Sequence, residues 1–128
     1  MTPPVIQRWI EIIDNGRTDE LPELLADDAT FYSPAVFSPQ EGRAKTLVYL
    51  TAAVKLFGDK DFRYVGQWFG ERSAVLEFEV DVDGIHVNGV DMIHWNDDDK
   101  IVEVKVMLRP FKALQAVMAA MAELLQSQ

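Results

Sequence analysis

Asp91 stands alone among apolar neighbours. Every second residue from Ile85 reads Ile85, Val87, Gly89, Asp91, Ile93 and Trp95, one carboxylate in an otherwise inward-facing row. The residues expected opposite it on the flanking strands, Leu76 and Val106, are apolar too. An ionised carboxylate buried there loses solvation worth several kcal/mol unless it is paired. The acid is therefore expected to keep its proton nearer neutrality. In a cavity, such an acid can donate a proton or a hydrogen bond to a developing oxyanion. The competing reading is a structural acid, satisfied by the Trp9 N–H, a tyrosine hydroxyl or trapped water. Both stay open on the residues alone.

Other residues with chemical potential are weaker candidates. His86 and His94 lie on the opposite, polar face of the same strand. Eight residues at about 3.3 Å each set them too far apart to share a metal. His86 is expected to pair with Asp81 across a hairpin, and His94 to lie on the outer face. The run Asp97-Asp98-Asp99 has the charge of a calcium loop without its spaced ligands or terminal glutamate, so it reads as a solvated hairpin tip. The glycines are scattered singly, with no nucleotide-binding motif. Arg109, beside Pro110, has outward parity and reads as structural. No metal or cofactor is implied.

Helices at both ends and a block of strands between them position these residues. Apolar spacing is helical up to about Phe57, alternates by two from Phe62 to Leu108, and is helical again from Phe111. Pro3 and Pro4 introduce a first helix bearing Val5, Ile6, Trp9, Ile10, Ile12 and Ile13, stopped by Gly16. Thr18 is expected to cap a short second helix with Leu21, Leu24 and Leu25. A short strand, Ala29–Ser33, ends at Pro34, and a third helix is expected from about Glu41 to Phe57.

Phe62, Tyr64, Gly66 and Trp68 share one parity in the next strand. Ala74, Leu76, Phe78, Val80 and Val82 form an apolar row with Glu77, Glu79 and Asp81 facing away. Asp83-Gly84 is a two-residue hairpin signal. It pairs Val82 with Ile85, Val80 with Val87, Phe78 with Gly89, Leu76 with Asp91 and Ala74 with Ile93. A loop at Asp97–Lys100 then pairs Trp95 with Val102, Ile93 with Val104, Asp91 with Val106 and Gly89 with Leu108. A slip at either turn would put an apolar row into water. The last helix, Phe111–Leu125, repeats Phe111, Leu114, Met118, Met121 and Leu125, a stripe suited to closing the domain or a subunit interface.

Helices flanking a long antiparallel meander indicate an α+β fold with one sheet face covered by helix, and the curl of long twisted strands makes that face concave enough to enclose a pocket. The length of 128 residues suits a single domain, residues 1–128. Acidic residues outnumber basic ones by 21 to 12, a formal charge of -9, which disfavours nucleic acid and anionic membranes as partners. The absence of cysteine excludes disulfides, thiol catalysis and thiolate metal sites. Neither a secretory leader nor an uncharged run of the roughly 18 to 20 residues that span a bilayer is legible, so the expected location is cytoplasmic.

The order of elements, with LLADDATFYSP, GVDMIHWNDDDKIVEVKVMLRP and the helix between them, resembles the nuclear transport factor 2-like (NTF2-like) superfamily. Within it the chain is similar to SnoaL-like and ketosteroid-isomerase-like proteins, from Gln7 to about Leu108. The resemblance implies a curved antiparallel sheet wrapped around helices, a cone-shaped α+β barrel with one apolar pocket. It also implies a homodimer built through the outer sheet face, which suits Val90, Met92 and His94. The isomerases' aspartate base falls on Ser33, their first-helix tyrosine on Trp9, and their protonated aspartate on Asp91. Only the last is retained. In SnoaL-like cyclases an aspartate in about this region is the acid/base, which makes Asp91 the candidate lone catalyst. Ser33 has nothing nearby in sequence to activate it as a base. The C-terminal helix extends beyond minimal isomerases, suiting it to cover the pocket mouth or to exchange between subunits.

The expected site therefore has Asp91 as acid or base, acting on an apolar, carbonyl-bearing small molecule. Trp9, Tyr49, Trp68, Phe78, Ile93, Trp95 and Val106 would shape the pocket, and Ser33 would orient a polar group. The alternative is a non-catalytic, dimeric ligand-binding domain of the same fold.

Overall fold

A computed structural model describes residues 1–58 and 60–126. The α1 helix, Pro4–Asn15, starts where the Pro3 carbonyl accepts from the amides of Ile6 and Gln7. It buries Val5, Ile6, Trp9 and Ile12. A 3-10 turn at Thr18–Glu20 leads into α2, Leu21–Leu24. Thr18 makes no capping bond, so its expected role is not realised. The first strand is longer than its spacing indicates: β1 runs Leu25–Tyr32. A two-residue strand, β2 (Gln40–Glu41), occupies the expected start of the next helix, so α3 begins later, at Arg43–Phe57. The Ala29 carbonyl accepts from both the Gly42 amide and the buried Thr46 hydroxyl, fastening α3 to β1.

Four long strands follow: β3 Arg63–Phe69, β4 Ser73–Val82, β5 Ile85–Trp95 and β6 Ile101–Arg109, before α4, Phe111–Gln126. The sheet order is β2-β1-β6-β5-β4-β3, curved and unclosed. All pairings are antiparallel except β1 with β6, which run parallel. The β4–β5 register is the expected one throughout, set by Asp83 and Gly84, both at positive φ as a tight hairpin turn requires. Asp91 lies between Leu76 and Val106, as its pattern indicates. At the far end of β5 one pairing differs. Val102 is squeezed out in a bulge, so Trp95 faces Ile101 rather than Val102. Register also shifts within β1–β6 and β3–β4, and such irregularities bend strands and increase twist.

The concave face holds two packed clusters. In one, α1 lays Ile6, Trp9 and Ile12 on Leu76, Ile93 and Trp95. In the other, α3 and α4 bring Leu56, Val117 and Met121 against Phe78, Val80 and Val87. Tyr49, Tyr64 and Val106 pack against both, and the site lies where the clusters meet.

Candidate active site

A cavity of about 350 Å³ opens between the sheet and the helices. The aromatic side of its wall comes from the end of α3, the segment entering β3, the start of β3 and the middle of β4. Phe57 stacks on Phe62 with ring centroids 5.4 Å apart, Phe62 meets Phe78 at a tilt at 4.9 Å, and Tyr64 meets Phe62 edge-on at 5.1 Å. Phe31 and Tyr49 stack at 5.3 Å elsewhere on the wall. The α4 helix adds Val117, Met118, Met121 and Leu125 to the wall.

Asp91 is 8% exposed, and its surroundings polarise it in a definite way. The Trp9 indole Nε1–H donates to the Tyr64 hydroxyl at 2.9 Å, and that hydroxyl donates to Asp91 Oδ2 at 2.7 Å. Among the described residues no group bonds Oδ1, and no buried polar side-chain atom is left without a partner, so Oδ1 opens onto the cavity. Burial pushes the Asp91 carboxyl up to about 7, opposed by the Tyr64 hydrogen bond. Burial also raises the Tyr64 phenol well above its ordinary value, reinforced by the neighbouring Asp91 charge. The result is an acid that exchanges its proton near neutrality beside a phenol that keeps its own.

Of the residues expected to shape the pocket, Trp9, Ser33, Tyr49, Phe78 and Val106 line this cavity together with Asp91. Trp68, Ile93 and Trp95 do not. Trp68 is 57% exposed because a bulge between Tyr64 and Gly66 reverses the strand's parity, leaving Trp68 opposite outward-facing Val75. Ile93 and Trp95 point inward as expected but are consumed by the core beneath α1. Ser33 Oγ accepts from the Ala35 amide at 3.1 Å, which leaves its hydroxyl proton to donate. The residue missing from the sequence reading is Tyr64. Its inward parity was legible, but its meeting with Trp9, 55 residues away, depends on how α1 crosses the sheet. His86 pairs with Asp81 at 3.0 Å on the outer face, as expected. The acidic tip is closed by Asn96, whose Oδ1 accepts from the amides of Asp98 and Lys100.

The relay sets a prediction. Tyr64→Phe removes the donor that favours ionised Asp91 and leaves the Trp9 N–H unpaired. The Asp91 carboxyl is expected to titrate at higher pH than in the parent, followed by carbon-13 NMR of the side-chain carboxyl. An unmoved or lower titration point would show that Tyr64 does not control this acid.

A protein-family model for the SnoaL-like domain matches residues 6–104. A crystal structure of a steroid delta-isomerase from Pseudomonas aeruginosa is 35% identical and superimposes with a TM-score of 0.92, covering 96% of this chain and 90% of the other. An uncharacterised bacterial protein with a cystatin-like fold, from Silicibacter pomeroyi, is 29% identical over 94% of this chain and 84% of its own, with a TM-score of 0.86. At 19% identity, the epoxide hydrolase/cyclase-like enzyme SalBIII of salinomycin pyran-ring formation shares the fold, with a TM-score of 0.66 over 82% of this chain and 88% of its own. No curated protein matches the chain. With the family model covering most of the sequence and the curved sheet, four helices and C-terminal helix all in place, the chain belongs to the SnoaL-like domain family of the NTF2-like fold.

Proposed function

We propose that the cavity binds an apolar, carbonyl-bearing small molecule and that Asp91 acts on it as the acid/base of an isomerase- or cyclase-like reaction. The observation that carries this reading is Asp91 Oδ1, the one carboxyl oxygen of a buried residue that has no described protein partner and opens onto a mostly apolar cavity. Ligand cavities have this character: apolar walls, a few converging polar groups and a perturbed acid. Protonated Oδ1 donates to a ligand carbonyl oxygen and gives up its proton as an enol develops. The α-proton leaves to water, and the reverse transfers restore the ketone or shift the double bond. Tyr64 stays protonated and holds Oδ2, while the Ser33 and Tyr49 hydroxyls offer further donors around the ligand. The 35% identical steroid delta-isomerase supports an isomerase-like reaction on an apolar substrate. Ser33 is not a base, so the reaction lacks the second carboxylate of a full ketosteroid-isomerase mechanism.

The test is proton exchange at the carbon beside a carbonyl. The protein is expected to accelerate deuterium incorporation into 2-tetralone in heavy water, saturably, and Ala53→Trp, which fills the cavity wall, is expected to remove the saturation. If the parent accelerates nothing yet binds the ketone, the non-catalytic ligand-binding reading takes over. That reading draws on the internal Trp9–Tyr64–Asp91 relay, which a purely structural acid would also make.

We further infer a homodimer through the outer sheet face. Trp68, Val75 and Met92 form a row across β3, β4 and β5, and Val90 pairs with Met107, which is 52% exposed. His94, on the same outer face as Met92, forms a 3.5 Å pair with Glu103. Exposed apolar rows of this kind mark interaction surfaces. The parent is expected to sediment as a dimer, and Trp68→Glu as a monomer with unchanged circular dichroism. A monomeric parent at tens of micromolar, a range in which specific interfaces are occupied, would remove this assembly.

A further inference from the structure

The charge of the cavity narrows the ligand class, granted the binding reading above. Its ionisable lining groups are carboxyls and phenols alone: Asp91 within, Tyr64 beside it, Tyr49 elsewhere on the wall, and Asp14 and Asp61 among the exposed lining residues. No lysine, arginine or histidine lines it among the described residues. The two cations that flank Asp61 in sequence are both engaged. Arg63 bridges Asp61 at 3.7 Å and Glu79 at 3.0 Å, and Lys60 Nζ donates to the Leu56 carbonyl at 2.7 Å. Asp61 is thereby partly neutralised. Asp14, at the C-terminal end of α1, has no ion pair or hydrogen bond among the described residues, and its field reaches inward far enough to raise the Tyr64 phenol.

We infer that the site takes an uncharged or amine-bearing carbonyl compound, with the carbonyl at Asp91 and any basic nitrogen toward Asp14, and that it rejects carboxylates and phosphates. An anion in the cavity would be desolvated beside two carboxyl groups with no cation to receive it. A protonated amine near Asp14 gains attraction in a site of low effective dielectric and keeps part of its hydration at the exposed end. Tyr49 and Ser33 are hydroxyl donors, which accept no such preference by themselves; the sign comes from Asp14 and Asp91.

Three probes on one skeleton test the claim: 2-acetylnaphthalene, 2-(2-naphthyl)ethylamine and 2-naphthylacetate, titrated calorimetrically at pH 7.5 in low salt. The amine is expected to bind roughly tenfold or more tighter than the carboxylate, with the ketone between them. The amine-to-carboxylate ratio should fall severalfold at high salt, which screens the exposed Asp14, and likewise in Asp14→Asn. A carboxylate binding as tightly as the amine, while the ketone also binds, overturns the charge preference alone. A ratio unmoved by Asp14→Asn overturns the role of that residue and the inference with it. Failure of all three to bind overturns the cavity reading itself.

Discussion

Replacing Asp91 by asparagine is expected to stabilise the protein at alkaline pH while costing it roughly 10²- to 10⁴-fold in exchange rate on a ketone, the range a positioned acid/base supplies. The two effects have one cause. In the unfolded chain the carboxyl titrates at about 3.9; in the folded protein burial pushes it up to about 7. Between these values the folded state binds more protons than the unfolded state, so stability falls as pH rises. The favourable contribution is fully present below the unfolded value and gone once pH has passed the folded one. At about 1.4 kcal/mol per pH unit, the parent gains roughly 2–3 kcal/mol from this group between pH 8 and pH 5. Asparagine keeps an oxygen for the Tyr64 hydroxyl and never ionises, so its advantage over the parent should be largest above pH 8 and vanish in acid. Urea unfolding of both proteins across that range isolates the difference from every other titrating group. Parallel pH profiles would mean that Asp91 is an ordinary solvated acid, and a stable asparagine variant with full exchange activity would leave the cavity without a catalyst.

A buried acid lowers stability at neutral pH, and the same departure from an apolar environment makes Asp91 legible. A carboxylate in an alternating apolar row breaks a rule that otherwise holds along the inward faces of β4 and β5, from Ala74 to Val82 and from Ile85 to Trp95. The same alternation, locked by the two-residue turn at Asp83-Gly84, fixed the pairing of β4 with β5 without a slip. Where the reading failed, the missing information was three-dimensional. A bulge adds one residue to a strand and leaves no compositional mark beyond Gly66, so Trp68 was assigned to the wrong face. Ile93 and Trp95 share the inward face with Asp91, but only the passage of α1 over that end of the sheet decides that they are core and not cavity. Tyr64 is the same problem in reverse: an inward tyrosine whose importance depends on Trp9 arriving from another element. Sequence period assigns a face; it does not say which part of that face the helices leave open.

Gly89 shows how tightly the remaining part is closed, and Gly89→Val is expected to cost about 3 kcal/mol, lowering the melting temperature by about 10 °C. Gly89 sits between Phe78 on β4 and Leu108 on β6, two pairs along the ladder from Leu76, Asp91 and Val106 and on the same face. A Cβ there would lie 2.6 Å from Leu108 Cδ2, 2.6 Å from Phe78 Cζ and 2.8 Å from the Met107 carbonyl oxygen. The two side chains can rotate only into the cavity they line, and the carbonyl can retreat only by parting β5 from β6. Gly84 supplies the contrast. Its positive φ strains any side chain, yet nothing lies within 4 Å of an added Cβ, so Gly84→Ala is expected to cost about 1 kcal/mol. Thermal unfolding of the two variants separates crowding from backbone strain. The order is the informative result: a Gly89 variant as stable as the Gly84 variant would mean that the sheet yields at the point where Asp91 is held, and a site that yields there could not keep its acid desolvated.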